Sequence, residues 1–275
     1  MVLQYIVSGV VVGFVVGATG VGGGSLMTPL LTLAFGVPAQ VAVGTDLLFA
    51  SITKSGGAWT FARRGQVAWP IVFWLALGSA PAALLTLLAM HRWHPDSVHF
   101  DAMLRPVLGL ALLLTAGALA LRTQIQILGA RFLANATAAF AGAGNGARVA
   151  AANSGRELRP VPTLALGAAI GILVTLTSVG AGAIGLVVLL FLYPSLPARE
   201  LVAADIAHAV PLTLIAGLGH AALGTVDWAM LLALLVGSLP AIHFGARLAG
   251  RLPERRLRAF LALMLALVGL RLVWA

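Results

Sequence analysis

The chain has 275 residues, of which 60% are apolar and 9% are charged, and its formal net charge is +9. A soluble domain is about 45–50% apolar and about 25% charged, so this composition excludes an ordinary soluble protein and a disordered one. Residues 1–45 and 160–198 contain no charged side chain, and each run exceeds the roughly 20 apolar residues that cross a bilayer. The sequence therefore predicts an all-α polytopic membrane protein.

Ten apolar segments follow one another along the chain, separated by glycine, proline or charged residues. They fall at about 3–18, 25–36, 41–61, 68–90 and 104–121, and then at 162–177, 183–193, 200–219, 228–246 and 257–274. A polar stretch rich in arginine divides the ten segments into two sets of five. We therefore predict a first membrane repeat over residues 1–121, a cytoplasmic linker over 122–160 and a second, inverted membrane repeat over 161–275.

The two sets of five segments resemble each other in sequence. The region Thr19–Gly24 recurs at Thr177–Gly182 with a spacing of 158 residues, and from Pro38 onward the spacing is 159. In this register Asp46 matches Asp205, Trp69 matches Trp228, and Gly78–Ala82 matches Gly237–Ala241. Repeated agreement at aspartate, tryptophan, glycine and proline is typical of an internal duplication.

The charged residues predict that the two repeats insert in opposite orientations. The loop after the third segment carries Arg63 and Arg64, whereas the matching loop carries only Asp227. Basic residues gather in cytoplasmic loops, and an orientation with the linker inside places thirteen of the 17 Lys and Arg residues in the cytoplasm. We therefore expect the inverted-repeat design of secondary transporters, with both termini outside.

Two short segments in each half flank a glycine-rich break. Segment 25–36 would rise only about 18 Å as a helix, which is too short for a hydrocarbon core of about 30 Å. We predict that each break is the tip of a broken or re-entrant hairpin, where peptide N–H groups and helix N-termini bind an anion. Close packing of small residues is the alternative interpretation. The predicted substrate-binding tip residues are Thr19, Gly20, Val21, Gly22, Gly23, Gly24 and Ser25, and Thr177, Ser178, Gly180, Ala181 and Gly182.

Four ionisable side chains lie inside the predicted segments, where they are costly and usually face a cavity or a partner. Lys54 is a candidate for attracting an anionic substrate. Asp46, Asp205 and His208 are candidates for carrying a coupling proton, because histidine titrates near neutral pH. The alternative is a buried Lys–Asp pair that holds helices together. The sequence predicts no cofactor, no metal site and no nucleic-acid partner.

Several of these motifs resemble the sulfite exporter TauE/SafE family of membrane permeases. The resemblance rests on Gly20–Leu26, Val37–Lys54, Arg64–Trp69, Thr175–Gly182, Ala204–Thr213 and Gly237–Pro240. It implies a secondary transporter, with export favoured over uptake, of sulfite, sulfoacetate or other organosulfonates across the cytoplasmic (inner) membrane. The partners it implies are a small anionic substrate and the lipid bilayer. A coupling proton and a homodimer are compatible with the sequence.

Two alternative functions remain open. A cation or metal transporter would use Asp46, Asp205 and His208 within the membrane, and it would respond to divalent metal rather than to sulfite. A non-transporting membrane assembly partner would need no hydrated path across the bilayer. An enzyme is not expected, because no nucleophile with its base is apparent in the sequence.

Overall fold

A computed structural model of the protein describes residues 2–19, 24–93, 103–121, 124, 158–248 and 254–274. These residues form ten α-helices, each within a few residues of a predicted apolar segment. The helices are α1 Val2–Thr19, α2 Gly24–Ala34, α3 Ala39–Arg63, α4 Trp69–Trp93, α5 Met103–Leu121, α6 Pro160–Thr177, α7 Ile184–Leu192, α8 Ala198–Ala222, α9 Trp228–Leu248 and α10 Glu254–Trp274. Nearly all of the predicted linker lies outside the described residues.

Five of the described helices, α4, α5, α6, α8 and α9, are long and apolar enough to cross a bilayer. Their outward faces carry large exposed apolar side chains, such as Phe73 on α4 and Leu232 on α9. Helices that are apolar on their exposed as well as their buried faces are typical of membrane spans. The described chain is therefore an all-helical, multi-pass membrane protein.

Two of the helices are too short to span. α2 has 11 residues and α7 has 9, so at about 1.5 Å per residue neither crosses the hydrocarbon core. α7 follows the 18-residue α6 after a break in which Ser178, Gly180 and Gly182 have φ angles of 57°, 117° and 122°. Positive φ at three of the six positions between the two helices prevents the helix from continuing.

Helices at matching positions of the two sequence repeats make matching contacts. α1 packs against α9, and α4 packs against α6. A Cβ atom added to Gly13 would lie 2.7 Å from Ser238 Cα, and one added to Gly171 would lie 2.5 Å from Ser79 O. These pairs are related by the repeat spacings, and at both of them the missing side chain lets two backbones touch. At these glycines, therefore, the close-packing use of small residues is observed.

The contact between α3 and α8 joins each helix to its own counterpart. The hydroxyl of Ser51 donates a hydrogen bond to Val210 O over 3.4 Å, and the two residues are 159 apart in sequence, which is the repeat spacing. Residues 42–51 of α3 are buried. Because α3 and α8 each pack against the short helix of their own half, Asp46 and Asp205 are both held beside a short helix.

Candidate functional site

The candidate site lies where α3 of the first half passes the break between α6 and α7 of the second half. Lys54 Nζ donates a hydrogen bond to Ala181 O over 3.3 Å. The hydroxyl of Ser178 lies close to the carboxylate of Asp46. Asp46 and Lys54 are eight residues apart, or about 12 Å along the helix axis, so the break runs beside two turns of α3. The structure thus brings together four of the predicted site residues.

Asp46 is fully buried and receives a hydrogen bond from α2. Thr28 Oγ1 on α2 donates to Asp46 Oδ2 over 2.6 Å. The other carboxylate oxygen, Oδ1, has no hydrogen-bond partner among the residues that the structure describes. The hydroxyl of Ser178 lies close enough to this carboxylate to interact with it, although the two do not meet in full hydrogen-bond geometry. Buried polar atoms without a well-formed hydrogen bond are costly, so these two side chains have room to change partners.

Lys54 is the single lysine of the chain, and its side chain is only partly buried. Its ammonium group lies within Coulombic range of Asp46, Asp205 and His208. The matching residue in the second half, Thr213, is buried and donates a hydrogen bond to Ala209 O of its own helix over 2.8 Å. The positive charge is therefore present on one side of the repeat only.

Asp205 is buried on α8 and packs against the short helix α7. A Cβ atom added to Gly185 would lie 2.7 Å from Asp205 Oδ1. Each matched aspartate therefore faces the short helix of its own half, but Asp46 meets the hydroxyl of Thr28 there and Asp205 meets a glycine backbone.

The break itself divides into a buried part and an accessible part. Thr177 Oγ1 donates to Leu173 O over 2.6 Å and accepts from Val179 N over 3.2 Å, so this hydroxyl secures the end of α6 in the observed conformation. Ala181 and Gly182 are partly exposed. The first residues of α7 have no side-chain cap, which leaves helix N-terminal N–H groups directed towards the break.

Two buried histidines on α8 differ in how their ring nitrogens are used. His220 Nε2 lies 3.0 Å from Thr175 O, and Nδ1 lies 2.9 Å from Thr225 Oγ1. Because a carbonyl only accepts, His220 Nε2 carries the hydrogen and both nitrogens are satisfied. His208 Nε2 lies 2.8 Å from Ser79 Oγ, while its Nδ1 has no hydrogen-bond partner within the described ranges. Both ring nitrogens of His220 are therefore used in packing contacts, whereas Nδ1 of His208 is not.

The first tip is not brought to this cluster by any described contact. Gly20, Val21, Gly22 and Gly23 lie outside the described residues. Thr19 ends α1, and Gly24 and Ser25 begin α2, but their side-chain environments are not described. The expectation that the two tips face each other stays a prediction.

Sequence reasoning did not identify Thr28, Ser79 or Gly185 as site residues. Thr28 and Thr32 recur one helical turn apart in an otherwise apolar short segment, and this polar pair could have drawn attention to α2. Ser79 was matched with Ser238 only as a marker of the duplication. Gly185 has no local signal, because its role depends on the packing of α7 against α8. Among the described residues, no three His, Asp or Glu side chains gather closely enough to hold a metal ion.

The chain is similar to known proteins over almost its whole length. A model of the family Sulfite exporter TauE/SafE matches residues 5–272. "Probable membrane transporter protein YjnA" of Bacillus subtilis (strain 168) is 33% identical over 285 residues, covering 99% of this chain and 100% of that protein. "Probable membrane transporter protein YdhB" of the same organism is 28% identical, covering 100% of this chain and 99% of that protein. No solved structure matches.

Proposed function

Because the chain belongs to the sulfite exporter TauE/SafE family, we propose that this membrane transporter exports small sulfur-containing anions such as sulfite, sulfoacetate and other organosulfonates across the cytoplasmic (inner) membrane. The observation that carries the proposal is the contact of Lys54 with Ala181 in the α6–α7 break. A cationic side chain inside a membrane protein marks a substrate or ion pathway. An ammonium group beside a glycine-containing break supplies the charge that an oxyanion requires.

The break supplies the remaining contacts for the anion. Gly180, Ala181 and Gly182 lie between α6 and α7, so their N–H groups are not used in helical hydrogen bonds. The uncapped N-terminus of α7 adds the positive end of a helix dipole. We propose that these N–H groups bind the oxygens of the anion while Lys54 neutralises its charge, and that Ser178 and Thr177 adjust their hydroxyls as the anion enters.

The architecture that we propose for transport is an inverted repeat of residues 1–121 and 161–275, with the 122–160 linker in the cytoplasm and both termini outside. The matching contacts of α1 with α9 and of α4 with α6 support it. So does the Ser51–Val210 bond, which joins residues one repeat apart. In this design one bundle moves against the other around a central site.

Proton coupling is assigned to Asp205 and His208, with Asp46 as the third candidate. His208 is held by Ser79 of α4, while Asp205 lies on the same helix three residues before it. Uptake or release of a proton by either group would change the net charge next to Lys54, and therefore the affinity of the site for an anion.

The test is flux of radiolabelled sulfite and sulfoacetate in proteoliposomes that contain the purified protein. Lys54→Met should lower flux about 10–100-fold, the cost of losing a charged hydrogen-bond donor. The matched control is Thr213→Val at the repeat-equivalent position, which should leave flux within about twofold, since the Thr213 hydroxyl donates to backbone carbonyls of its own helix. Absence of anion flux with the folded wild type, or full flux with Lys54→Met, would overturn the proposal. Flux of divalent metal in place of anion would support the cation-transport alternative.

A further inference from the structure

The carboxylate of Asp205 lies directly against the backbone of the first turn of α7. Gly185 is the second residue of α7, and a Cβ atom added to it would lie 2.7 Å from Asp205 Oδ1. Carbon and oxygen atoms that are not bonded do not approach this closely, so the carboxylate occupies the space that a side chain at residue 185 would fill. Asp205 is 2% exposed. This buried contact therefore depends on the absence of a side chain at Gly185.

The first turn of α7 is the positive end of a helix. No side chain of the preceding residue caps this N-terminus, and a negative charge beside the first turn is stabilised by the helix dipole. Asp205 thus brings a carboxylate from the neighbouring helix α8 to the end of α7 where N–H groups are left over from the helical hydrogen bonds.

Lys54 and Asp205 contact the same short stretch of chain. Lys54 Nζ donates to Ala181 O over 3.3 Å, and Gly185 follows Ala181 by four residues. α3 and α8 pass each other here, since a Cβ atom added to Gly57 would lie 3.8 Å from the Cγ2 atom of Ile206. An anion bound to the N–H groups of this stretch would gain the ammonium charge and would also meet the carboxylate. Like charges at short range repel, so each anion weakens the binding of the other.

We propose that Asp205 is a tethered competitor of the substrate anion, whose carboxylate occupies the N-terminal end of α7 while the transporter is empty. The anion binds tightly once Asp205 takes up a proton or withdraws from Gly185. The inference deepens the proposed function and rests on it, and Gly185 is the positioning residue that allows the competition. Because linkage is reciprocal, a bound anion favours the protonated form of Asp205.

The ionisable groups around Asp205 decide which variants the test requires. α6 and α7 pack against α8 and contain no ionisable side chain. The groups on α8 and on its other neighbours are Asp46, Lys54 and Arg63 of α3, His91 and Arg92 of α4, and Arg199, Glu200, His208 and His220 of α8 itself. His208 lies one helical turn after Asp205 and titrates near neutral pH when exposed, so its contribution has to be separated from that of Asp205.

The competition is tested by anion binding, without transport. Thermal unfolding of the purified full-length protein in detergent is followed with and without methanesulfonate at constant ionic strength, at several pH values between about 5 and 8. Methanesulfonate keeps its charge over this range, so only the protein titrates. The anion should stabilise the wild type, and more strongly at the lower pH values. Asp205→Asn should bind it about tenfold more tightly at the highest pH and with little pH dependence, because a neighbouring like charge is removed.

Gly185→Ala tests the positioning role while it retains the carboxylate. The added methyl group would displace Asp205 Oδ1 from the first turn of α7, so this variant should bind methanesulfonate more tightly than the wild type at the highest pH and respond less to pH. Gly57→Ala is the matched control, because its methyl group meets Ile206 at an ordinary contact distance. Glu200→Gln is the control for loss of a negative charge from α8. Both controls should retain the pH dependence of the wild type.

The possible outcomes separate the competition from the proposed function. Unchanged or weaker anion binding in Asp205→Asn would overturn the competition and leave the anion site standing. A pH response that is lost in His208→Gln and kept in Asp205→Asn would also overturn it. If methanesulfonate stabilises neither the wild type nor Asp205→Asn, the anion site of the proposed function fails as well. Asp205→Asn decides the question even if Gly185→Ala does not fold.

Discussion

The two halves of the protein share a scaffold but differ in the chemistry placed on it. The backbone contacts of Gly13 with Ser238 and of Gly171 with Ser79 correspond to each other across the repeat. In contrast, Lys54 has Thr213 as its counterpart, and strained Ser178 corresponds to Gly20. Backbone-to-backbone contacts tolerate no added atom, so both copies of the duplication retain them. Polar side chains inside the bundle can differ between the two repeats, because the candidate site needs each functional side chain from one repeat only.

The largest expected effect comes from breaking the shared scaffold. Gly13→Ala and Gly171→Ala should each destabilise the protein by about 1–3 kcal/mol or more, because the new methyl overlaps backbone atoms that cannot rotate away. Thermal unfolding in detergent measures the change. Gly117→Ala is the control, since nothing lies within 4 Å of a Cβ added there. If one of the two substitutions is tolerated while the other strongly destabilises the protein, the two helix contacts are not equivalent.

The next comparison separates the two histidines of α8. His220→Ala should cost about 1–3 kcal/mol, because Thr175 O loses the ring N–H that it accepts and Thr225 Oγ1 loses its contact with the ring. His208→Gln can keep a hydrogen bond to Ser79, so we expect a smaller loss of stability and a changed pH dependence of anion flux. Unfolding curves and flux at several pH values measure the two effects. A pH profile altered by His220→Ala and unaffected by His208→Gln would reverse the assignment.

Moving the charge between the halves sharpens the comparison further. Lys54→Thr should lower sulfite flux about 10–100-fold, and adding Thr213→Lys to it should not restore transport. The reason is that Ala181 and Ser178 lie beside α3, and Thr213 is enclosed on α8. Flux in proteoliposomes is the measurement. Recovery in the double variant would mean that both halves offer the same site.

The smallest expected effect is at the strained serine. Ser178→Gly should raise the free energy of unfolding by up to about 1 kcal/mol in the absence of substrate, because glycine accepts a φ of 57° without strain. Equilibrium or thermal unfolding of the purified protein in detergent measures the gain. Destabilisation under these conditions would mean that the serine hydroxyl supports the fold in the absence of a ligand.

Local signals in the sequence were sufficient to predict where the helices lie, but they were insufficient to predict which residues meet at the candidate site. Apolar runs and their glycine or proline interruptions are read within a few residues, so α2 and α7 were predicted as short helices. The contacts of the site are not local, since Thr28 meets Asp46 across 18 residues and Lys54 meets Ala181 across 127. The repeat register identified Asp46 and Asp205 as a pair, but only the packing of α3 beside the second break indicates which half holds the cluster.

The single lysine has an energetic consequence for an inverted repeat. If both halves were chemically identical, a twofold rotation would relate the inward-facing and outward-facing states, so the two would have equal free energy and the empty transporter would populate them equally. Lys54 and Thr213 remove this degeneracy, because an ammonium charge is solvated differently when the break beside it opens to one side or the other. In the proposed inverted repeat, the empty transporter is therefore expected to favour one of its two states, and the matched positions of Lys54 and Thr213 contribute to that preference.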